Sequence, residues 1–192
     1  MDSLDDVPNN VGQNYAMVAL LDDEHTSKVH KIWSLLEIEC GLPPVDIPPY
    51  PHFSFHVAKN YQLAELDDRL SDLVSKINPF VIRTTGLSVF TGQNPVVYIP
   101  VVASQTLISV HQTIWEKTSG FGNQLNSYYQ PGYWIPHITL LHNHIDADCL
   151  NCIFDQLIER TFDWEVEINK LGVIYQKGRE YGIHKVYPLQ YN

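Results

Sequence analysis

Two short stretches of the chain carry the same order of residue types: proline, histidine, an apolar residue, a hydroxyl residue and a second apolar residue. The first is Pro51–Phe55 and the second is Pro136–Leu140, so His52 and His137 stand 85 positions apart. An imidazole has an ordinary pKa of about 6.5 and can accept or donate a proton near neutral pH. A matched pair of histidines, each with a neighbouring hydroxyl, is therefore suited to acid–base catalysis at one phosphate.

In such a pair, one histidine removes a proton from the attacking water or hydroxyl, and the other protonates the leaving oxygen. Ser54 and Thr139 would donate hydrogen bonds to the non-bridging phosphate oxygens, on which negative charge accumulates. A strained cyclic phosphate needs mainly positioning and proton transfer, so this chemistry requires no metal and no other cofactor. We therefore predict that His52, Ser54, His137 and Thr139 are the catalytic residues.

The bare pattern His-x-Ser/Thr occurs four times, and the surrounding sequence separates the copies. The copies that begin at His25 and His111 fall on predicted helices, where positions i and i+2 point in very different directions. The copies at His52 and His137 fall on predicted strands, where positions i and i+2 share one face. Each strand copy also follows a proline-containing loop. We expect the strand copies to line one pocket.

The elements around the two motifs form a repeat. The apolar run at 14–21 is typical of a buried strand. Apolar residues spaced three and four apart predict helices at about 23–40, 62–77, 104–119 and 147–160. Further strands are predicted at about 52–58, 80–85, 87–90, 96–102 and 137–141, with a final hairpin made of 162–175 and 181–187. Each half thus reads strand, helix, loop, histidine strand, helix, strand.

This order predicts an α+β fold, in which helices cover one face of antiparallel sheets. We expect a duplicated, bilobal fold whose two antiparallel sheets form a central cleft, with the helices on the outside. Residues 1–192 would form a single domain of this kind, with one lobe over about 14–86 and the other over about 87–190. Residues 1–13 are expected to be a flexible lead-in.

Composition narrows the class of partner. The net charge of −10 argues against binding of extended nucleic acid, because neutralisation of phosphates by basic side chains supplies most of that affinity. No apolar run approaches the roughly 18 residues that a membrane span needs. The acidic N-terminus is unlike a secretory signal. We expect a cytoplasmic monomer whose partner is a small nucleotide or oligonucleotide, with no membrane association.

The three cysteines are Cys40, Cys149 and Cys152. An odd number in a protein expected inside the cell argues against a disulfide framework. Cys149 and Cys152 form a Cys-x-x-Cys within a predicted helix, but a zinc site needs about four ligands and no second such pair exists. We predict two ordinary helix cysteines. A zinc site is a weaker alternative, and its ligands would be His52, His56, His137 and His142.

Through the motifs His52–Phe55 and His137–Leu140, the chain resembles the 2H phosphoesterase superfamily, the group of 2′-5′ RNA ligase-like proteins and cyclic nucleotide phosphodiesterases. The signature of that superfamily is a pair of His-x-Ser/Thr-apolar motifs in a duplicated, bilobal α+β fold, and the resemblance covers about residues 15–187. It implies a metal-independent phosphodiesterase acting on 2′,3′-cyclic or 2′,5′-linked ribose phosphates. It also implies that the two histidines and two hydroxyls take the catalytic and phosphate-binding places, and it leaves RNA ligation open.

Two other functions fit the same motifs. One is hydrolysis of cyclic oligonucleotide messengers of immune signalling. The other is a non-catalytic module that binds a nucleotide in the same cleft. Intact histidine and hydroxyl residues in both motifs favour an enzyme, because binding alone does not need two proton-transfer groups.

Four further residues are predicted to contact the substrate. Tyr133 and Trp134 lie in an aromatic loop before the second motif and are suited to stacking on a base. Phe55 belongs to the first motif. His56 would lie on the same face as the motif histidine if strand alternation continued, which would make it a third polar group deeper in the cleft. A hydrogen-bonded core histidine is the competing interpretation of His56.

Overall fold

The computed structural model describes residues 13–44, 47–142 and 145–191. Within these residues, four α-helices span Asp23–Cys40 (α1), Leu63–Val74 (α2), Gln105–Thr118 (α3) and Ala147–Leu157 (α4). Ten described strands span Asn14–Leu20 (β1), His52–Tyr61 (β2), Phe80–Arg83 (β3), Ser88–Phe90 (β4), Val96–Pro100 (β5), Gly122–Leu125 (β6), His137–His142 (β7), Glu165–Ile168 (β8), Lys170–Lys177 (β9) and Glu180–Pro188 (β10). The predicted α+β class is confirmed, and β6 is the one described strand in a segment predicted to be a loop.

Local sequence explains where most helices begin and end. Asp22, Ser104 and Asp146 each accept a hydrogen bond from a backbone N–H of the first turn of α1, α3 and α4. Such caps satisfy donors that the helix itself leaves unpaired. Helix α1 ends at Gly41, whose φ of 65° lies in the left-handed region that glycine adopts without strain. Within the described part of the chain, every helix is too short or too polar to cross a membrane.

The strands form antiparallel sheets, and some of these sheets contain strands from both halves of the sequence. One sheet has the order β10-β9-β1-β2-β6. The remaining strands form the sheet β4-β5-β7 and the pair β3-β8, which meet through a bridge between Thr84 and Val101. The C-terminal hairpin β9–β10 therefore completes the sheet of the first motif, and β3 lies with the strands of the second. The strands thus do not divide at the predicted boundary near residue 86.

A single large apolar core joins these sheets to the helices. Each helix contributes side chains that are almost fully buried, among them Leu36 of α1, Leu66 of α2, Leu107 of α3 and Ile153 of α4. Full burial of such a side chain contributes roughly 1.5–3 kcal/mol. Because residues from both halves share this core, the two histidine strands are held in a fixed relation to each other.

A disulfide joins Cys40, at the end of α1, to Cys152 in α4, with their Cα atoms 5.9 Å apart. The prediction that Cys152 is an ordinary helix cysteine is therefore wrong. Cys149 and Cys152 are close along the chain, whereas packing of α1 against α4 brings together Cys40 and Cys152, which are 112 positions apart. Cys149 is not part of this disulfide. Stable disulfides belong mainly to oxidising compartments, so in a cytoplasmic protein this bond would be open to reduction.

We expect Cys40→Ser to lower the free energy of unfolding by about 2–4 kcal/mol without reductant, because the cross-link restricts a long loop of the unfolded chain. Urea denaturation measures the loss. Cys149→Ser is the matched control and should change stability by less than about 1 kcal/mol. Adding reductant should remove the difference between Cys40→Ser and the wild type. Equal stability of these two proteins before reduction would contradict the disulfide.

Candidate active site

The two motifs occupy the first residues of two strands that are built in the same way. His52 begins β2 and His137 begins β7. In each half, the carbonyl of the proline before the histidine accepts a backbone N–H from the end of the neighbouring strand. The donor is Leu21 at 3.2 Å in the first half and Val101 at 3.0 Å in the second. These equivalent bonds set the position at which each histidine strand begins.

Each histidine strand is bulged directly after its motif hydroxyl. The pairing of β1 with β2 shifts between Ser54 and His56, and the pairing of β5 with β7 shifts between Thr139 and Leu141. Before the bulge the side chains alternate normally, so the histidine and the hydroxyl of each motif share one face. An extra residue in one strand inverts the alternation beyond it. Both halves therefore present a short two-residue polar face that ends at the bulge.

The burial of the motif residues agrees with this geometry. His52, Ser54, His137 and Thr139 are all half-buried, as expected for side chains that line a cleft. The apolar residues between and after them are fully buried in the core. Strands β2 and β7 also contact each other, which brings the two motif strands close together.

Both imidazoles are oriented by the carbonyl group two residues earlier in the chain. His52 Nδ1 donates to the oxygen of Tyr50 at 2.5 Å, and His137 Nδ1 donates to the oxygen of Ile135 at 2.7 Å. A carbonyl oxygen only accepts hydrogen bonds, so Nδ1 carries the proton in each ring. In the neutral ring Nε2 then presents a lone pair. The Nε2 atoms are the ones that can exchange a proton with a bound substrate.

The electrostatics of the site favour neutral imidazoles in the unliganded protein. Burial lowers the pKa of His52 from 6.5 to about 4; the bond to Tyr50 opposes this shift, and the positive charge of His137 adds to it. Burial also lowers the pKa of His137. The effect of one ring on the other requires that the two imidazoles lie near each other. One of them must gain a proton before it can act as an acid.

Two aromatic residues that the sequence analysis missed surround the second histidine. The rings of Phe90 and Tyr98 stack with their centroids 4.1 Å apart, and each meets the His137 ring edge-on, at 5.0 and 5.1 Å. Tyr98 is also the cross-strand partner of Thr139. These contacts restrict the orientation of the second histidine. They depend on which strands pair, so no local pattern in the sequence signals them.

The loop between β6 and β7 covers the edge of β2 at the first motif. Trp134 Nε1 donates to the carbonyl of Ser54 at 2.8 Å, and its ring lies parallel to that of His111, with the centroids 3.9 Å apart. The indole is thus engaged with the protein, and it holds the loop against the motif strand. Tyr133 next to it is 73% exposed and keeps its ring accessible to a base. The predicted stacking role is therefore better suited to Tyr133 than to Trp134.

Two of the predicted substrate contacts lie in the core instead of the cleft. Phe55 is fully buried and packs against Phe53 and Trp134. His56 is also fully buried. The prediction that His56 shares the face of the motif histidine is wrong, because the bulge after Ser54 turns His56 to the opposite side of β2.

His56 belongs to a chain of hydrogen bonds in the core, as the competing interpretation predicted. The Thr118 hydroxyl donates to the carbonyl of Ile114 at 2.6 Å and accepts from His56 Nε2 at 2.7 Å. The Tyr61 hydroxyl then donates to His56 Nδ1 at 2.5 Å. Burial, with a smaller contribution from His111, lowers the pKa of His56 to about 3, so the ring is neutral near neutral pH.

Removing the acceptor of this network should destabilise the fold. We expect Thr118→Val to lower the free energy of unfolding by about 1–3 kcal/mol, because His56 Nε2–H is left buried without a partner. Thr113→Val on the same helix is the matched control, since the Thr113 hydroxyl also donates to the carbonyl four residues earlier but lies at the surface. Chemical denaturation compares the two variants. An equal, small loss in both would contradict the network.

Among the described residues, no group of three or more histidine, cysteine, aspartate or glutamate side chains is arranged to hold a metal ion. The zinc alternative also required His56 to face the same cleft as His52, and the bulge separates them.

Two equivalent strands that each begin with His-x-Ser/Thr, on an α+β framework of antiparallel sheets, define a protein of the 2H phosphoesterase type. The model of the 2′-5′ RNA ligase superfamily matches residues 28–180, and the chain belongs to this superfamily. The resemblance drawn from the two motifs is thereby confirmed. Membership supports an activity of the phosphoesterase type.

Similar proteins agree with this assignment. A Bacillus anthracis protein with the provisional name phosphoesterase is 24% identical over 143 residues, which cover 72% of this chain and 78% of that protein. The structure is similar to that of TT0787 from Thermus thermophilus, with a TM-score of 0.63 and 18% identity over 92% of this chain and 97% of that one. Escherichia coli LigT, solved with 3′-AMP, gives a TM-score of 0.62 at 17% identity over 93% and 99% of the two chains. At these identities the structural likeness establishes the fold.

Proposed function

We propose that this protein is a metal-independent phosphodiesterase that opens 2′,3′-cyclic phosphates or cleaves 2′,5′-linked nucleotides. The observation that carries the proposal is the equivalent setting of His52 and His137. Each ring is held through Nδ1 by a backbone carbonyl, and each has a hydroxyl two residues further along the same face. Two proton-transfer groups placed together are what an in-line displacement at phosphorus requires.

The proposed reaction with a 2′,3′-cyclic phosphate is a single displacement. Nε2 of one histidine accepts a proton from water as the water oxygen forms its bond to phosphorus. The bond from phosphorus to one ribose oxygen breaks, and the other histidine gives that oxygen its Nε2 proton. Burial lowers the pKa of His52 to about 4, so its neutral ring is available as the proton acceptor, and we assign the role of donor to His137. Ser54 and Thr139 donate hydrogen bonds to the non-bridging oxygens.

The charge of the site supports a small, singly charged substrate. The shifts in the pKa values of His52 and His137 come from burial and backbone carbonyls, with an added effect of His137 on His52, and not from a lysine, arginine or carboxylate. A phosphodiester carries one negative charge, which one protonated imidazole balances. Structures of Escherichia coli LigT contain 3′-AMP, ATP or NADP⁺. We propose that this chain takes a nucleotide of similar size, with Tyr133 stacking on its base.

We expect His52→Ala and His137→Ala each to lower kcat by at least about 100-fold, because each removes one proton-transfer group. Phosphorus NMR of a 2′,3′-cyclic nucleotide and of a 2′,5′-linked dinucleotide measures the rate and shows which ribose oxygen keeps the phosphate. EDTA should leave the wild-type rate unchanged. Wild-type turnover by either folded histidine variant would overturn the proposal, and unchanged substrate with the wild-type protein would point to a binding module.

The hydroxyl residues offer a matched comparison. Ser54→Ala and Thr139→Ala should each lower kcat by roughly 10-fold or more, because a donor to the charged phosphate oxygens is lost. Ser27→Ala and Thr113→Ala alter hydroxyls in the same His-x-Ser/Thr pattern on helices α1 and α3, and both should keep wild-type rates. Similar losses in all four variants would show that the effect is not specific to the strand motifs.

The pH dependence of kcat/KM should be bell-shaped, with its maximum below pH 6.5. The base must be deprotonated, which holds above about pH 4 if His52 takes that role, and the acid must be protonated, which holds only below the lowered pKa of His137. The measured values belong to the coupled pair. A plateau that extends above pH 7 in initial-rate measurements would contradict this account.

A further inference from the structure

The outer edge of β2, on the side away from β1, is bonded to a side chain at the first motif. Strand β6 pairs with this edge within residues 58–61. Closer to the motif, the carbonyl of Val57 accepts from the backbone N–H of Asn126 at 2.9 Å. The carbonyl of Ser54 accepts from the indole N–H of Trp134 at 2.8 Å. At the motif itself, the indole therefore takes the place that the backbone of a neighbouring strand would fill.

The Ser54 carbonyl faces this edge because of the alternation of β2. Peptide groups of successive residues in an antiparallel strand point to opposite edges. The carbonyl of Pro51 bonds to Leu21 on the β1 side, so the carbonyl of Ser54, three positions later, points to the other side. The register of β1 and β2 shifts directly after Ser54. The indole thus binds the last regular peptide group before the bulge, where the ladder is disrupted.

Two further rings hold the indole in its orientation. The ring of Trp134 lies 3.9 Å from that of His111 in α3, with an angle of 7° between the planes. Both rings stack on Phe55 of the first motif, with centroids 5.9 and 6.4 Å away. His111 Nε2 also donates to the carbonyl of Tyr129 at 3.0 Å, which ties this helix to the loop. The stack therefore fixes the direction in which the indole N–H points.

The segment that contains Trp134 also orients the second histidine. The carbonyl of the next residue, Ile135, accepts from His137 Nδ1 at 2.7 Å. Residues 134–137 thus bind the backbone of the first motif at one end and begin the second motif at the other. The bond from Trp134 consequently fixes where Ser54 lies relative to His137.

This placement matters for the proposed reaction. A serine hydroxyl lies close to its own backbone, so a shift of the backbone moves the hydroxyl directly. Ser54 must reach a phosphate oxygen while His52 and His137 reach the attacking and leaving oxygens of the same phosphate. A displacement of about 1 Å in such an arrangement can lower a rate by up to roughly 100-fold.

We propose that Trp134 is a positioning residue of the active site, whose indole N–H holds the Ser54 carbonyl and thereby places the Ser54 hydroxyl against the substrate phosphate. The inference rests on the proposed function. It assigns Trp134 a role through Ser54, in place of the stacking on a base that the sequence predicted.

A double-mutant cycle tests this role. Trp134→Phe keeps an aromatic ring in the stack and removes the N–H donor. It should lower kcat for a 2′,3′-cyclic nucleotide by roughly 5- to 10-fold, with KM within about twofold of the wild-type value. In the Ser54→Ala background the same substitution should lower kcat by less than about twofold, because the hydroxyl through which Trp134 acts is absent.

Trp164→Phe is the matched control. The Trp164 indole N–H also donates to a loop carbonyl, that of Thr161 at 3.2 Å, but this carbonyl belongs to neither motif. The control should keep the wild-type kcat in both backgrounds. Urea denaturation of each variant identifies the temperature at which all are folded, and the rates are compared there.

Four results would overturn the inference. One is a wild-type kcat for Trp134→Phe. The second is a raised KM with an unchanged kcat, which would show that the indole binds the nucleotide. The third is the same fractional loss with and without the Ser54 hydroxyl, and the fourth is an equal loss in Trp164→Phe. If His52→Ala and His137→Ala are inactive in the same assay, any of these results removes the role of Trp134 and leaves the phosphodiesterase assignment intact; if they are active, the assignment itself fails.

Discussion

The hydrogen bond from each histidine Nδ1 to the carbonyl two residues earlier is the interaction on which the site depends. In both motifs a proline lies between the carbonyl and the histidine. Proline has a fixed φ near −65° and holds the residue before it in an extended conformation. Because the three residues Tyr50, Pro51 and His52 adopt this local geometry, and Ile135 to His137 repeat it, each carbonyl faces the ring that follows. The bond then sets the tautomer and leaves Nε2 for chemistry.

The rest of the fold brings two such local units together and stabilises them. Each histidine strand pairs with a neighbour, β1 or β5, and the residue directly after that neighbour donates its backbone N–H to the carbonyl of the motif proline. The bulge after each hydroxyl ends the polar face and returns the following residues to the core. Helices from both halves bury their apolar faces in one shared core, and the Cys40–Cys152 disulfide crosses between two of them. The geometry of the cleft is therefore a property of the whole domain.

Local patterns in the sequence were sufficient to predict much of this. Helical spacing predicted the four helices, and the two Pro-His-x-Ser/Thr motifs predicted the strands that carry the half-buried histidines. The errors arose where a distant partner or a single inserted residue decides the outcome. His56 lies beyond the bulge in β2, which inverts the alternation of side chains, and nothing in the residue types around Phe55 indicates a bulge. Cys40 and Cys152 meet through helix packing, and the hairpin β9–β10 joins the sheet of β1 through pairing across most of the chain.

The central claim is that both imidazoles face one phosphate through Nε2 while Nδ1 stays bonded to the backbone. Nitrogen-15 NMR of the imidazole rings, recorded with and without a nucleoside 2′-monophosphate, tests it most directly. The account predicts that the Nε2 resonances of both His52 and His137 shift on binding, that their Nδ1 atoms remain protonated throughout, and that His56 is unaffected. A shift confined to one of the two motif histidines, or a change of tautomer at either ring, would contradict it.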